Sequence, residues 1–279
     1  MAEKLSPESD RLTATLEHWQ EWRCDISSRP TLARQLKGKS NDNYLVSTGS
    51  DRFVVRINND NPDLGVKRHV EAEVLGDIAG QPYSPEVIWQ NESSLVTRYI
   101  DGEHPEPSRP AQWLVGMGRL FLAIHNTPTR VTESLDPLNH AIDYFEQLDN
   151  PDPAVTACME QLLIRAPVQP AIPHLCHNDL LFENVILVHE TFYAIDWEYS
   201  RCGDPAFDLA VFLETCDLSP ANTATLLAAY DRPWVADRID AYRELYRLIE
   251  ILWWALRAPG DGENDTRIAA LARKLGITL

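Results

Sequence analysis

The stretch His177-Asn178-Asp179-Leu180-Leu181-Phe182-Glu183-Asn184, followed by Ile195-Asp196-Trp197-Glu198, decides how this chain is read. It sets an acid and an amide five residues apart, then a second acid at the end of the apolar run Phe192-Tyr193-Ala194-Ile195. A strand end would hold the Asp196 carboxylate rigidly. Phosphoryl transfer needs Mg²⁺ on the nucleotide phosphates, a carboxylate to take the acceptor hydroxyl's proton, and both held in line. Mg²⁺ prefers oxygen ligands and draws few of them from protein. Asp179 fits the base, and Asn184 with Asp196 fits the metal ligands. His-x-Asp-x-x-x-x-Asn arises by chance in roughly one chain of this length in a hundred. Its weight comes from the strand-end acid that follows it. The alternative is that Asp179 caps a helix, Asn184 sits in a turn and Asp196 is an ordinary turn residue.

Around that stretch the periodicity changes several times. Leu12, Leu16 and Trp19 predict a helix over 6–23, with Pro7 at its start. Residues 42–57 read as a β-hairpin, in which Tyr44-Leu45-Val46 and Phe53 to Ile57 flank a polar turn containing Gly49. Val66, Val70, Val74 and Ile78, four apart, predict a helix over 64–79 stopped by Gly80. Strands are expected at 85–89 and 94–100. A linker with Pro105, Pro107 and Pro110 and a helix over 111–125 follow. The rest reads as helical, apart from two short strands at 185–188 and 192–195. The pattern is a β-rich part over 1–100 with one helix, then a larger helical part over 101–279. A cleft between two such parts is a common ligand site.

The chain has 279 residues, a net charge of −17 and 44% hydrophobic residues. The charge argues against nucleic acid or an anionic membrane as partner and suits a cationic substrate, although it also fits a generic acidic surface. Cys24, Cys158, Cys176, Cys202 and Cys216 are scattered, with no Cys-x-x-Cys pair. That points to a reducing compartment and away from disulfides or zinc. No run approaches the roughly 18 apolar residues of a membrane helix, and the start lacks a signal-peptide core. A cytoplasmic location is expected. Nothing in the sequence speaks to oligomeric state.

Leu175 to Leu180, Ile195 to Ser200, and Gly203-Asp204-Pro205-Ala206-Phe207-Asp208-Leu209-Ala210 resemble the choline/ethanolamine kinases and their relatives. Those relatives include thiamine kinase and the aminoglycoside phosphotransferases. The resemblance runs from about residue 36 to about 257 and is densest over 175–214. It implies an α+β, bilobal protein-kinase-like fold with a β-rich N-lobe and a mainly helical C-lobe. The implied cofactors are ATP and Mg²⁺, and the implied partner is a small alcohol. In it Asp179 would be the catalytic base, Asn184 and Asp196 the Mg²⁺ ligands, and His177 a support for the loop. Asp204 and Asp208 would brace that loop.

The resemblance extends to the nucleotide side. Leu36 to Tyr44 resembles a phosphate-covering turn in which Ser40, Asn41 and Asn43 meet phosphate, with one glycine where relatives often have two. Arg56 matches the basic phosphate-gripping residue and Glu71 the acid that orients it, with Glu73 a competitor. Thr97 to Ile100, Tyr99 among them, would be the hinge meeting adenine.

The acceptor is read from weaker signals. Glu198 would brace the loop, approach the metal or face a cationic substrate. Tyr242, Tyr246, Trp253 and Trp254 recur at helical spacing, so one helix face would either pack into the core or present rings to a cation. Choline is the first expectation and thiamine the second. An aminoglycoside is third, since the only late acids in view are Glu214, Asp217 and the turn at 261–265. A nucleotide-binding pseudokinase is the rival from another class, and no base or metal ligand is missing to favour it.

Overall fold

The computed structural model describes residues 7–38, 40–59, 65–106, 108, 110–165, 167, 172–216 and 218–277. Lys39 of the expected phosphate turn, Pro107 of the linker and Asp217 lie outside them, as do the first residues expected for the helices at 6–23 and 64–79. In chain order the elements are α1 (Pro7–Glu17), β1 (Thr31–Leu36), β2 (Asp42–Thr48), β3 (Asp51–Ile57), α2 (Arg68–Asp77), β4 (Val87–Gln90), β5 (Ser94–Arg98), α3 (Leu114–His125), α4 (Pro137–Glu146) and α5 (Pro153–Arg165). There follow β6 (His174–Cys176), β7 (Val185–Val188), β8 (Thr191–Ala194), β9 (Arg201–Gly203), α6 (Pro205–Cys216), α7 (Pro220–Tyr230), α8 (Ala236–Arg257) and α9 (Gly262–Leu275).

The chain forms two compact units interleaved in sequence. The first comprises Met1–Pro62, Ile78–Glu103 and Ile186–Ile195. Its five strands lie in the order β1-β2-β3-β5-β4, with neighbours antiparallel. β2 and β3 pair from Asp42↔Ile57 to Thr48↔Asp51, which leaves Gly49-Ser50 as a two-residue turn. Gly49 has φ 57°, the left-handed value that such a tight hairpin needs at its first central residue. Alternation along β3 sends Phe53, Val55 and Ile57 into a core with Tyr44, Val46, Ile88, Val96, Leu12, Leu16 and Trp22. Arg56 therefore lies on the opposite face, where it is also buried. The β7–β8 hairpin adds to this unit through reciprocal bonds between Glu103 and Leu187 and through Ala194 N–H to the Tyr83 carbonyl.

The second unit comprises Asp63–Asp77, His104–Val185 and Asp196–Leu279. At its centre α6 is buried from Pro205 to Leu213. Phe207 sets its ring edge-on against Tyr242 and Tyr246 of α8. Gly118 lets α3 approach α7 closely, since a Cβ there would stand 2.6 Å from the Leu226 carbonyl oxygen. Asp136 and Ser219 cap α4 and α7, each with proline in the first turn.

One boundary falls between Glu103 and His104, close to the expected residue 100, but the division is not a single cut, since Asp63–Asp77 belongs to the helical unit and Ile186–Ile195 to the β-rich one. α2 groups with the helical unit, and its bonds give the reason. Asp77 accepts from Thr129 Oγ1 at 2.8 Å, Arg130 N at 2.6 Å and Arg130 Nε at 2.8 Å. Lys67, just before α2, pairs with Glu133, and Arg201 donates to the Gly65 carbonyl. No helix among the described residues is long and apolar enough to cross a membrane.

Candidate active site

In the helical unit, β6 runs into the loop that carries Asp179. Asn178 takes φ 65°, in the left-handed region that a non-glycine residue rarely occupies. Asp208, in the first turn of α6, holds this strained turn. Its fully buried carboxylate accepts His177 N–H at 2.8 Å and Asn178 N–H at 2.5 Å, and it meets His125 Nε2 at 3.0 Å. His125 Nδ1 is in turn bonded to Tyr230 Oη at 2.8 Å. Asn178 Nδ2 reaches the Tyr199 carbonyl at 3.0 Å, tying this loop to the one after Asp196. His177 is buried with its ring 4.6 Å from that of Trp197.

Asp179 and Asn184 meet directly. Asn184 Nδ2 donates to the Asp179 carbonyl at 2.8 Å and to Asp179 Oδ2 at 3.0 Å. The amide nitrogen is thereby spent, and Oδ1 is the atom left to face a further ligand. Asp196 also has a left-handed backbone, φ 63°. Such strain persists only where the surroundings enforce it and clusters at functional sites. Burial pushes the Asp179 carboxyl well above its ordinary range, and the charges of Asp196, Glu198 and Glu183 push the same way, against the Asn184 bond. Oxygen-only donors and concentrated negative charge suit a hard divalent cation such as Mg²⁺.

Other expected residues stand differently. Asp204 does not hold the Asp179 loop. Arg238 grips it with Nε and an η nitrogen at 2.7 and 2.8 Å, and Tyr242 Oη donates at 3.1 Å, so it anchors α8 instead. Tyr242 is accordingly a core residue, while Tyr246 and Trp253 are half-buried. Glu198 is buried and ion-paired with Arg68 at 3.0 Å; the same guanidinium nitrogen meets Glu71 at 3.1 Å. Glu71 is buried, whereas Glu73 is exposed.

In the β-rich unit the expected phosphate turn is tight. A Cβ at Gly38 would stand 2.4 Å from the Asn41 carbonyl oxygen and 2.6 Å from Asn43 Nδ2, so glycine is needed there. Asn59 Nδ2 donates to the Ser40 carbonyl at 2.5 Å, and Asn59 N–H to Asn41 Oδ1 at 3.2 Å. Arg56 lies across from Asn43 in the ladder. Thr97 lies within β5, an inner strand. Tyr99 N–H is donated to the Arg52 carbonyl at 2.9 Å, and the Arg52 guanidinium stands 4.5 Å from the Tyr99 ring centre. A contact of Tyr99 with adenine therefore falls to its carbonyl or ring, not to its N–H.

The model of the phosphotransferase enzyme family matches residues 32–248. The chain belongs to that family. This phosphotransferase is 27% identical over 209 residues to protein LicA of Haemophilus influenzae, a match covering 69% of the chain and 60% of LicA. Among solved structures it resembles choline kinase LicA of Streptococcus pneumoniae, with TM-score 0.78 and 19% identity over 97% of this chain and 99% of that one. A choline/ethanolamine kinase family protein of Mesorhizobium loti gives TM-score 0.75 and 23% identity over 97% and 95%. The fold of the phosphotransferase is accordingly α+β and protein-kinase-like.

Some residues grouped with Asp179 in this phosphotransferase escape a linear reading. Burial pushes the hydroxyl pKa values of Tyr144 on α4, Tyr199 and Tyr246 up, and the charge of Asp179 pushes all three the same way. Tyr144 had no signal, because its helix lies far upstream of the motif. Asn178 and Tyr199 stood inside the quoted motifs without a periodicity to mark them. Arg68 carried only the signal of a cation three residues before Glu71.

Proposed function

We propose that the protein transfers the terminal phosphoryl group of ATP, with Mg²⁺, to the hydroxyl of a small cationic alcohol of choline or ethanolamine type. The observation that carries this reading is the company Asp179 keeps. Asn184 bonds it at 3.0 Å, and burial with the charges of Asp196, Glu198 and Glu183 raises its pKa. Asp179 takes the acceptor's proton, and for that it must be ionised. Asn184 Oδ1 and the Asp196 carboxylate would hold Mg²⁺, which when bound neutralises charge on the phosphate oxygens. Positive charge at Asp196 would remove part of the repulsion that raises the Asp179 pKa. Arg56 grips the nucleotide phosphates under the turn formed by Ser40, Asn41 and Asn43. The segment from Thr97 to Tyr99 borders the adenine.

Aromatic faces recognise an ammonium group by cation–π attraction, and the buried Glu198, already paired with Arg68, adds no free carboxylate to them. The half-buried Tyr246 and Trp253 extend that surface, although the chain's own Arg257 already stands 4.9 Å from the Trp253 ring centre. A polycationic aminoglycoside fits less well. Glu214 is taken by Arg243 and Arg247, and Asp261 caps α9. Thiamine remains the second cationic acceptor.

The test is ADP release with Mg²⁺ over choline, ethanolamine, thiamine, sugars and aminoglycosides, together with the uncharged carbon isostere of choline. Turnover of choline or ethanolamine with a much higher KM for the isostere is the expected result. Turnover confined to neutral sugars would overturn the cationic acceptor. Nucleotide binding without turnover of any acceptor would favour a pseudokinase.

A further inference from the structure

The end of β3 carries a group of asparagines that the reading above leaves without a task. Asn58 is buried and every polar group it has is used. Its N–H donates to the Ser93 carbonyl at 2.9 Å, its carbonyl accepts from the Arg11 guanidinium at 2.5 Å, and its Nδ2 donates to the Glu92 carbonyl at 2.9 Å. The remaining group, Oδ1, accepts Arg56 Nε–H at 3.1 Å. Asn59 reaches the other way and holds Ser40 and Asn41 of the turn. Asn43, opposite Arg56 in the ladder, closes the turn through Nδ2 to the Asn41 carbonyl at 3.4 Å.

We propose that Asn58 is a positioning residue for the nucleotide: its side-chain carbonyl fixes the plane of the Arg56 guanidinium, while Asn59 locks the phosphate turn to the same strand end. This rests on the reading of Arg56 as the phosphate grip. An arginine binds phosphate through two parallel N–H bonds, so the plane of its fork decides whether both are made. Asn58 holds the fork by its Nε. A carboxylate in its place would hold Nε equally well but would offset the positive charge that attracts phosphate. The amide aims the cation without that offset. Its own anchors lie in the β4–β5 turn, where Asn91 Oδ1 accepts Ser93 and Ser94 N–H at 2.9 and 2.8 Å, so the aim is set by a rigid neighbour. Turn and arginine then meet the phosphates already arranged, which lowers the entropic cost of binding.

The experiment is a double-mutant cycle of Asn58→Ala and Arg56→Ala on the full chain, reading KM for ATP, KM for the acceptor, kcat at saturating ATP and the melting temperature. A hydrogen bond to a charged group is worth enough for roughly a tenfold change. The expected result is a roughly tenfold higher KM for ATP in Asn58→Ala, with acceptor KM and kcat held, and no further rise in the Arg56→Ala background. Equal effects in both backgrounds would overturn the role of Asn58 while leaving that of Arg56. An unchanged KM for ATP in Arg56→Ala would overturn the phosphate-grip reading and the proposal with it. Should Asn58→Ala fail to fold, Asn59→Ala at an exposed position carries the test. It is expected to raise KM for ATP a few-fold at unchanged melting temperature, and an unchanged KM overturns the locked turn.

Discussion

Replacing Asp208 by asparagine tests the bracing of the Asp179 loop most severely. The carboxylate takes three donors in the interior: His177 N–H, Asn178 N–H and His125 Nε2. Oδ2 takes His177 N–H and His125 Nε2, and Oδ1 takes Asn178 N–H, so an amide oxygen in the Oδ2 place keeps two contacts and turns an NH₂ group toward Asn178 N–H. One charge-assisted bond is lost and a donor is set against a donor, a destabilisation of about 1.5–3 kcal/mol. That is a large fraction of the roughly 5–15 kcal/mol that holds a domain together. The two N–H groups belong to the residues immediately before Asp179, so the loop shifts as well. A displacement of about 1 Å at a reacting group costs on the order of a hundredfold in rate. Urea unfolding followed by fluorescence, with kcat measured well below the melting temperature, reads both effects. A midpoint corresponding to less than about 1 kcal/mol of loss, together with wild-type kcat, would refute the bracing argument.

Asp179→Asn is expected to lower kcat by about 10²–10⁴ and to raise the melting temperature in the absence of Mg²⁺. It removes a charge crowded by burial, Asp196, Glu198 and Glu183, and a lower melting temperature would count against that crowding. His140, half-buried against Gly65 and Tyr144, has its pKa pushed down to about 4 from 6.5, first by burial and then by the charge of Arg201. The native state refuses a proton that the unfolded chain accepts, so this stabilisation is complete above pH 6.5 and is lost as pH falls toward 4. At about 1.4 kcal/mol per pKa unit it amounts to at most about 3 kcal/mol, and His140→Gln should flatten the stability profile in that window. Gly38→Ala places a Cβ 2.4 Å from the Asn41 oxygen and should raise KM for ATP without moving KM for the acceptor. Equal changes in both would show that the turn does not serve the nucleotide.

The elements legible in the sequence were those whose side chains alternate between core and solvent. The β2–β3 hairpin, α2 and the β7–β8 pair all show such alternation or helical spacing. β1 gave no signal, because Thr31 to Gln35 are all exposed and carry no alternation. β6 and β9 are three residues each, too short for any period. Tyr242 and Tyr246 share a helix face in sequence, but the Arg238–Asp204 anchor draws Tyr242 inward and leaves Tyr246 half-buried. Asp179 and Asn184 could be picked out by spacing because one short turn joins them. Tyr144 could not, since it arrives from a separate helix.

The interleaving of the two units bears on how the protein is made. The sheet of the β-rich unit is complete in sequence by Arg98, yet the hairpin that finishes this unit emerges only with Ile195. At a synthesis rate of roughly 5–20 residues per second, the nascent unit waits several seconds for its last two strands. During that wait the Glu103 backbone and the Tyr83 carbonyl, which the hairpin later bonds, lack those partners. A stop codon or a pause between Glu103 and Ile186 would release a sheet without its closing piece, so neither unit can be obtained by a single cut in the gene.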